Sequence, residues 1–244
     1  MSEGELAILV GLICAMAALY ASVGHGGASG YLAVMALVGV SSVVMRPSAL
    51  ILNVLVATLA TIAFMRAGHL RWNLLWPFLI TSIPCAFFAG SYAVNEPTFK
   101  RLVAATLFIA ALRMFMPQRE TTTRALSIPI AALCGALIGV LSGLVGVGGG
   151  ILLTPLMILA RWSSAREAAA VSAPFILLNS LAGLAGLLTV GFTVESWLWW
   201  AAAVAIIGGF AGARWSLQSA SQLWFRRALG VVLLIAAFKF VVTS

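Results

Sequence analysis

Charge is what this sequence most lacks. Only 8% of its 244 residues are Asp, Glu, Lys or Arg, against about 25% in a soluble domain. So few charges cannot cover a chain of this length with an aqueous surface. Acids are scarcer still: six, Glu3, Glu5, Glu96, Glu120, Glu167 and Glu195, all at or near the ends of apolar runs. A cation transporter would normally place Asp or Glu inside the membrane, and a carboxylate-based enzyme would need a close pair; neither pattern occurs. There is no HExxH, no GxSxG and no Gly-Lys-Ser/Thr after a glycine loop, which argues against an enzyme or a P-loop. Cysteine numbers three (Cys14, Cys85, Cys134), each inside an apolar run and without a CxxC, so neither a disulfide framework nor a metal site is expected. No cofactor is expected.

What is present is hydrocarbon: 63% of the residues are hydrophobic. Apolar runs recur that could each cross ~30 Å of lipid. They are rich in Leu, Ala and Ile without alternation, which selects helices over a barrel. The fold class is therefore an all-α integral membrane protein of about eight to ten helical segments. Fourteen Lys and Arg against six acids leave +8. Because the basic residues fall mostly between apolar runs, they read as topological signals rather than as a nucleic-acid surface. The acidic Met1–Glu5 start lacks the basic region of a cleaved signal peptide, so the first run is expected to stay as a span.

The chain reads as a duplication. Val23-Gly24-His25-Gly26-Gly27-Ala28 matches Val145-Gly146-Val147-Gly148-Gly149-Gly150 at four positions. Leu50-Ile51-Leu52-Asn53 resembles Ile176-Leu177-Leu178-Asn179, Phe88-Ala89-Gly90 pairs with Phe210-Ala211-Gly212, and the offset stays between 122 and 126 residues. This predicts an N-terminal repeat over 1–116, a linker over 117–124 and a C-terminal repeat over 125–244, together one membrane domain. Five segments are expected per half: about 5–22, 29–44, 48–65, 73–93 and 99–116, then 126–143, 151–160, 168–190, 196–213 and 226–242. If every segment changes sides, the halves are inverted and ten basic residues share one face, leaving Arg46, Lys100, Arg101 and Lys239 on the other. If the short second segments re-enter instead, the split is six against eight. The positive-inside rule favours inversion, with both termini outside.

The second segment of each half is short and follows directly on glycines. Breaks at corresponding positions of two halves are the best pointer to a transporter's substrate site. The helix after each break begins with N–H groups that lack intrahelical acceptors and carry about half a positive charge. Two such ends roughly 4 Å from a monoanion, at an effective dielectric near 20, supply about 4 kcal/mol. That roughly offsets the ~2.5–3.5 kcal/mol cost of a charge at mid-bilayer. The candidate substrate-binding residues are Gly24, His25, Gly26, Gly27, Ala28 and Ser29, with Gly146, Val147, Gly148, Gly149 and Gly150, and the matched amides Asn53 and Asn179. Ser29 is expected to be an N-cap. His25 is the only titratable group in either break: a proton-coupled residue or a substrate donor, or else a neutral histidine bonded to a nearby carbonyl. The asparagines either meet substrate or pin the broken backbone. Weaker candidates are Tyr20, Ser22, Thr58, Ser142 and Thr154. Gly135, Gly139, Gly183, Gly186, Gly208, Gly209 and Gly212 read as helix-packing positions. Trp72, Trp76, Trp197, Trp199 and Trp200 read as interfacial belt.

Gly24-His25-Gly26-Gly27 through Leu32, and Gly143 through Leu156, resemble the repeated signature of the TauE/SafE family. The resemblance spans essentially the whole chain. It departs in the first copy, where His25 replaces an apolar residue and Ala-Ser-Gly-Tyr follows. It implies transport of sulfite, a sulfonate or a similar small sulfur-containing anion across the bacterial inner membrane, often as export. The expectation is a secondary transporter that binds its anion near the midplane; the alternative is an anion channel of the same architecture without gradient coupling. Expected partners are the bilayer and a small anion, with a homo-oligomer left open and no nucleic acid.

Overall fold

The structure is a computed structural model, described over residues 3–22, 25–115, 124–216 and 222–242. Among these residues it contains ten helices and no strand. They are α1 (Glu3–Ser22), α2 (Ala28–Val38), α3 (Ser42–Arg66), α4 (Trp72–Gly90), α5 (Glu96–Phe115), α6 (Ile128–Val145), α7 (Gly150–Leu159), α8 (Ala165–Val190), α9 (Trp197–Ser216) and α10 (Gln222–Val242). Six of them, α1, α3, α4, α6, α8 and α9, are long and apolar enough to cross a membrane. The all-helical membrane fold is as the composition requires. Of the expected linker over 117–124, only Arg124 is among the described residues.

The short helices follow the breaks: α2 has 11 residues and α7 has 10. At 1.5 Å per residue each covers about half of a ~30 Å core. The expected 29–44 segment stops early, at Val38. Gly39 (φ 85°) caps it, its N–H donating to Ala36, while Val40 donates to the Met35 carbonyl. The third helix correspondingly starts at Ser42 instead of near residue 48, and carries Arg46 and Pro47 inside it.

Helix directions distinguish the two topologies. α3 and α8 run antiparallel: Asn53 meets Ser180, Leu50 meets Gly183, and Arg46 shares a cavity wall with Leu187 and Gly191. α4 runs parallel to α8, with Phe78 against Phe175 and Ser82 against Asn179. Equivalent helices of the two halves thus point opposite ways. The loops agree. Arg71, at the start of α4, pairs with Glu167 of α8 at 2.9 Å. Arg124 N–H donates to the Arg161 carbonyl at 2.6 Å. The 66–71 and 161–166 loops therefore lie on one face, which re-entrant short helices would forbid. Packing partners also exchange between halves: α4 against α6 mirrors α9 against α1, and α4 against α8 mirrors α9 against α3.

Glycine lets these pairs approach closely. Cβ atoms at Gly135, Gly139 and Gly143 would strike the backbone of Phe78, Ser82 and Ala86 on α4; at Gly208 and Gly212 they would strike Cys14 and Ala18 on α1. In lipid, where apolar burial drives association weakly, such close approach is a main source of helix affinity. Trp72, Trp76, Trp199 and Trp200 are exposed, as a belt requires, but Trp197 turns inward and is buried.

Candidate functional site

The first break runs from the end of α1 to Ala28. Val23 and the candidate Gly24 lie outside the described residues. His25 is half-buried, and its backbone N–H donates to the Tyr20 carbonyl at 2.9 Å. Gly27 is the N-cap of α2, at φ 94°, a left-handed conformation that suits glycine. Ser29 is therefore not the N-cap. It lies inside the first turn, buried, with its hydroxyl 2.6 Å from Tyr20 Oη. Glycine takes the cap because the chain must reverse from α1 into α2 there.

The second break starts at Gly146, which closes α6 by donating to the Ser142 carbonyl at 2.8 Å. Val147 is buried. Gly148 (φ 73°) and Gly149 (φ 78°) are both left-handed, and Gly149 caps α7, accepting from Leu152 and Leu153 N–H at 3.0 Å. The N–H groups of Gly150 and Ile151, next in the first turn, have no acceptor within the helix.

The two breaks meet at one side chain. Asn53, fully buried on α3, accepts from the Ala28 N–H through Oδ1 at 3.0 Å. Its Nδ2 donates to the Val147 carbonyl at 3.2 Å and approaches Ser180 Oγ at 3.4 Å. A methyl at Gly26 would lie 2.6 Å from Asn53 Oδ1; one at Gly148 would run into Asn53 Nδ2 and lie 2.9 Å from Ser180 Oγ. Both would also press on Ile176 Cγ2. Gly26, Gly27, Ala28, Ser29 and the whole of Gly146–Gly150 are buried around this point. Asn53 therefore pins the broken backbone of both halves, and one of the α2 N–H groups expected to be free for an anion is already engaged.

Asn179 does not repeat this role. Its Nδ2 donates to Ser82 Oγ at 3.0 Å and to the Phe175 carbonyl at 2.9 Å, while its buried Oδ1 has no hydrogen-bond partner. The matched asparagines are unequal: one joins the breaks, the other faces α4 with an unsatisfied acceptor. Of the weaker candidates, Thr154 bonds Ser172 at 2.7 Å, Thr58 bonds back to the Val54 carbonyl at 2.6 Å, and Ser142 has a buried hydroxyl without a partner. The Ser22 side chain lies outside the description.

Arg46 does not stand out in the sequence, where it reads as a loop charge, but the side chain is buried, with 6% of its surface exposed. Its Nε donates to the Gly143 carbonyl (2.8 Å), Nη2 to Ala89 and Gly90 (2.8 and 2.7 Å) and Nη1 to Tyr92 (3.0 Å). Arg46 precedes Asn53 by seven residues, two helical turns, so both fall on one face of α3. That register is visible only once α3 is known to begin at Ser42.

The sulfite exporter TauE/SafE family matches residues 7–240, which take in both breaks, all of α2 to α9 and most of α1 and α10. This chain belongs to the TauE/SafE family. It is also 34% identical over 231 residues to a probable membrane transporter protein of Sinorhizobium fredii, covering 92% of this chain and 93% of the relative. A probable membrane transporter protein of Methanocaldococcus jannaschii is 30% identical over 126 residues, 50% of this chain and 47% of its own. No solved structure matches. As a TauE/SafE protein this chain is a multi-pass membrane transporter.

Proposed function

We propose that this transporter carries a small sulfur-containing oxyanion, such as sulfite or a sulfonate, across the bacterial inner membrane. In this reading residues 1–116 and 125–244 act as two inverted repeats, and the anion is held where their breaks meet. The observation that carries the proposal is the convergence of both breaks on Asn53. Two half-length helices start there, from opposite directions, with first-turn N–H groups that favour negative charge. Among the described residues the acids agree: Glu3, Glu5, Glu96, Glu167 and Glu195 lie at or beside helix ends, so none of these opposes an anion at that depth.

Sulfur enters from the family, whose description is that of a sulfite exporter. The same packing favours a carrier over a channel. The breaks are buried under Asn53, Ile176 and Ser180, so passage requires the amide clamp to yield once per cycle. Radiolabelled sulfite, thiosulfate and taurine offered to proteoliposomes test the reading. Saturable uptake of at least one, at carrier rates and without unitary currents, is expected. Uptake of none of them, or single-channel currents, would overturn it.

A further inference from the structure

A cavity of about 230 Å³ lies where the start of α3, the α4–α5 loop and the end of α8 come together. At ~30 Å³ per water it has room for a small oxyanion and several waters. Arg46 forms part of its wall, and its aliphatic stem packs on Gly146, the residue that opens the second break: a Cβ there would lie 3.3 Å from Arg46 Cγ. Arg46 thus stands between the cavity and the point where the breaks meet.

The partners of Arg46 are unusual for a buried cation. All four are neutral backbone carbonyls at or just past the ends of α4 and α6. The ion pairs among the described residues are Arg71 with Glu167 and Lys100 with Glu96, and neither involves Arg46. Glu96 also borders the cavity, but its carboxylate is 3.0 Å from Lys100 Nζ. Carbonyl dipoles solvate a guanidinium without cancelling its charge. Four bonds also use only four of its five N–H groups, and the one left over is on Nη1, which bonds the Tyr92 carbonyl on the cavity wall. Arg46 sits one turn inside α3, where a long cation ordinarily reaches outward to the interface; here it is turned inward and buried, which a simple tie between helix ends would not require of a permanent charge. The duplication sharpens the point. At the offset that relates Asn53 to Asn179, the counterpart of Arg46 is Ser172, which is neutral and bonds Thr154. The charge therefore stands on one face only, opposite the loops that carry Arg71, Arg124 and Arg161.

We propose that the Arg46 cavity is a second oxyanion site, a mouth on one face of the membrane where the transported anion is held before it reaches the breaks. The site rests on the oxyanion reading of the substrate. The guanidinium recognises the ion's charge, and its remaining N–H and the wall of the cavity set its position. On the other face Arg71 and Arg124 line a cavity too, but both are exposed and Arg71 is paired with Glu167 at 2.9 Å; neither is a buried guanidinium held by carbonyls alone, so apparent affinity differs between the two directions.

Val43 provides a test that leaves the guanidinium in place. It borders the cavity, is 71% exposed, and sits three residues before Arg46 on the same helix face. Val43→Glu, Val43→Lys, Arg46→Gln and Arg46→Lys are reconstituted, and initial rates of labelled sulfite transport are measured in each direction, with orientation fixed by one-sided labelling. Val43→Glu is expected to raise KM about fivefold for sulfite entering from the Arg46 face, and by much less from the other. Val43→Lys should lower it. Arg46→Gln should raise KM more than Arg46→Lys does, which a purely structural tie to four carbonyls would not predict for protein that still transports. Wild-type sulfite transport with Val43→Glu and Val43→Lys shifting KM equally from both faces, or not at all, would overturn the site and leave the substrate reading standing. A wild type that moves none of sulfite, thiosulfate and taurine would overturn the substrate reading, and this site with it.

Discussion

Replacing Asn53 by Ala should destabilise this protein more than the matched change at Asn179. Asn53→Ala strands two buried backbone groups, the Ala28 N–H and the Val147 carbonyl, whose partners it supplies at 3.0 and 3.2 Å. Each stranded group costs about 1–3 kcal/mol. Hydrogen bonds between membrane helices sit at the lower end, at about 0.6–1.7 kcal/mol, so a total near 2 kcal/mol is expected. Asn179→Ala strands less. The Phe175 carbonyl still faces the helical N–H four residues on, and only Ser82 Oγ loses a partner; about 1 kcal/mol follows. At roughly 2–4 °C per kcal/mol for a chain of this size, the midpoints fall by about 4–8 °C and 2–4 °C. Thermal unfolding in detergent, followed by size-exclusion of the surviving monodisperse fraction, measures both. Equal midpoint losses for Asn53→Ala and Asn179→Ala, or a larger one for Asn179→Ala, would refute the clamp.

Gly148→Ala should abolish transport or cut it at least tenfold in an uptake assay. Its Cβ would strike Asn53 Nδ2, and the φ of 73° adds about 1–2 kcal/mol of strain. Gly139→Leu and Gly212→Leu should both lower the unfolding midpoint and the yield of monodisperse protein, because their side chains would drive α6 from α4 and α9 from α1. If transport depends on pH near the ordinary histidine range of about 6.5, rates measured across that range should become flat in His25→Gln. Single cysteines at His69 and at Phe192, in a background without Cys14, Cys85 and Cys134, should react with impermeant maleimide from opposite faces of oriented vesicles. Labelling of both from the same face would contradict the inverted directions of α3 and α8.

Much of the fold could be read directly. Apolar runs bounded by basic loops mark the helices, and adjacent glycines mark both breaks, because helix propagation cannot cross Gly148-Gly149 at positive φ. The failures share one cause: interactions between residues far apart in the chain. Arg46-Pro47 looks like a loop because a charge and a proline normally end a membrane helix. Four carbonyls from α4, α6 and the loop beyond α4, 43 to 97 residues away, make the charge tolerable inside α3. Asn53 and Asn179 look equivalent because each sits in the same local sequence. What separates them is that Asn53 faces both breaks while Asn179 faces Ser82 across α4. Trp197 reads like its exposed neighbours because composition alone does not reveal which face of the first turn of α9 turns inward.

That both broken helices serve one anion site is tested most directly by a structure of the protein with selenite, a heavier analogue of sulfite with a strong anomalous signal. A selenium peak is expected within hydrogen-bonding reach of first-turn N–H groups of both α2 and α7, beside Asn53. Selenite bound in the protein with no peak at either break would contradict it.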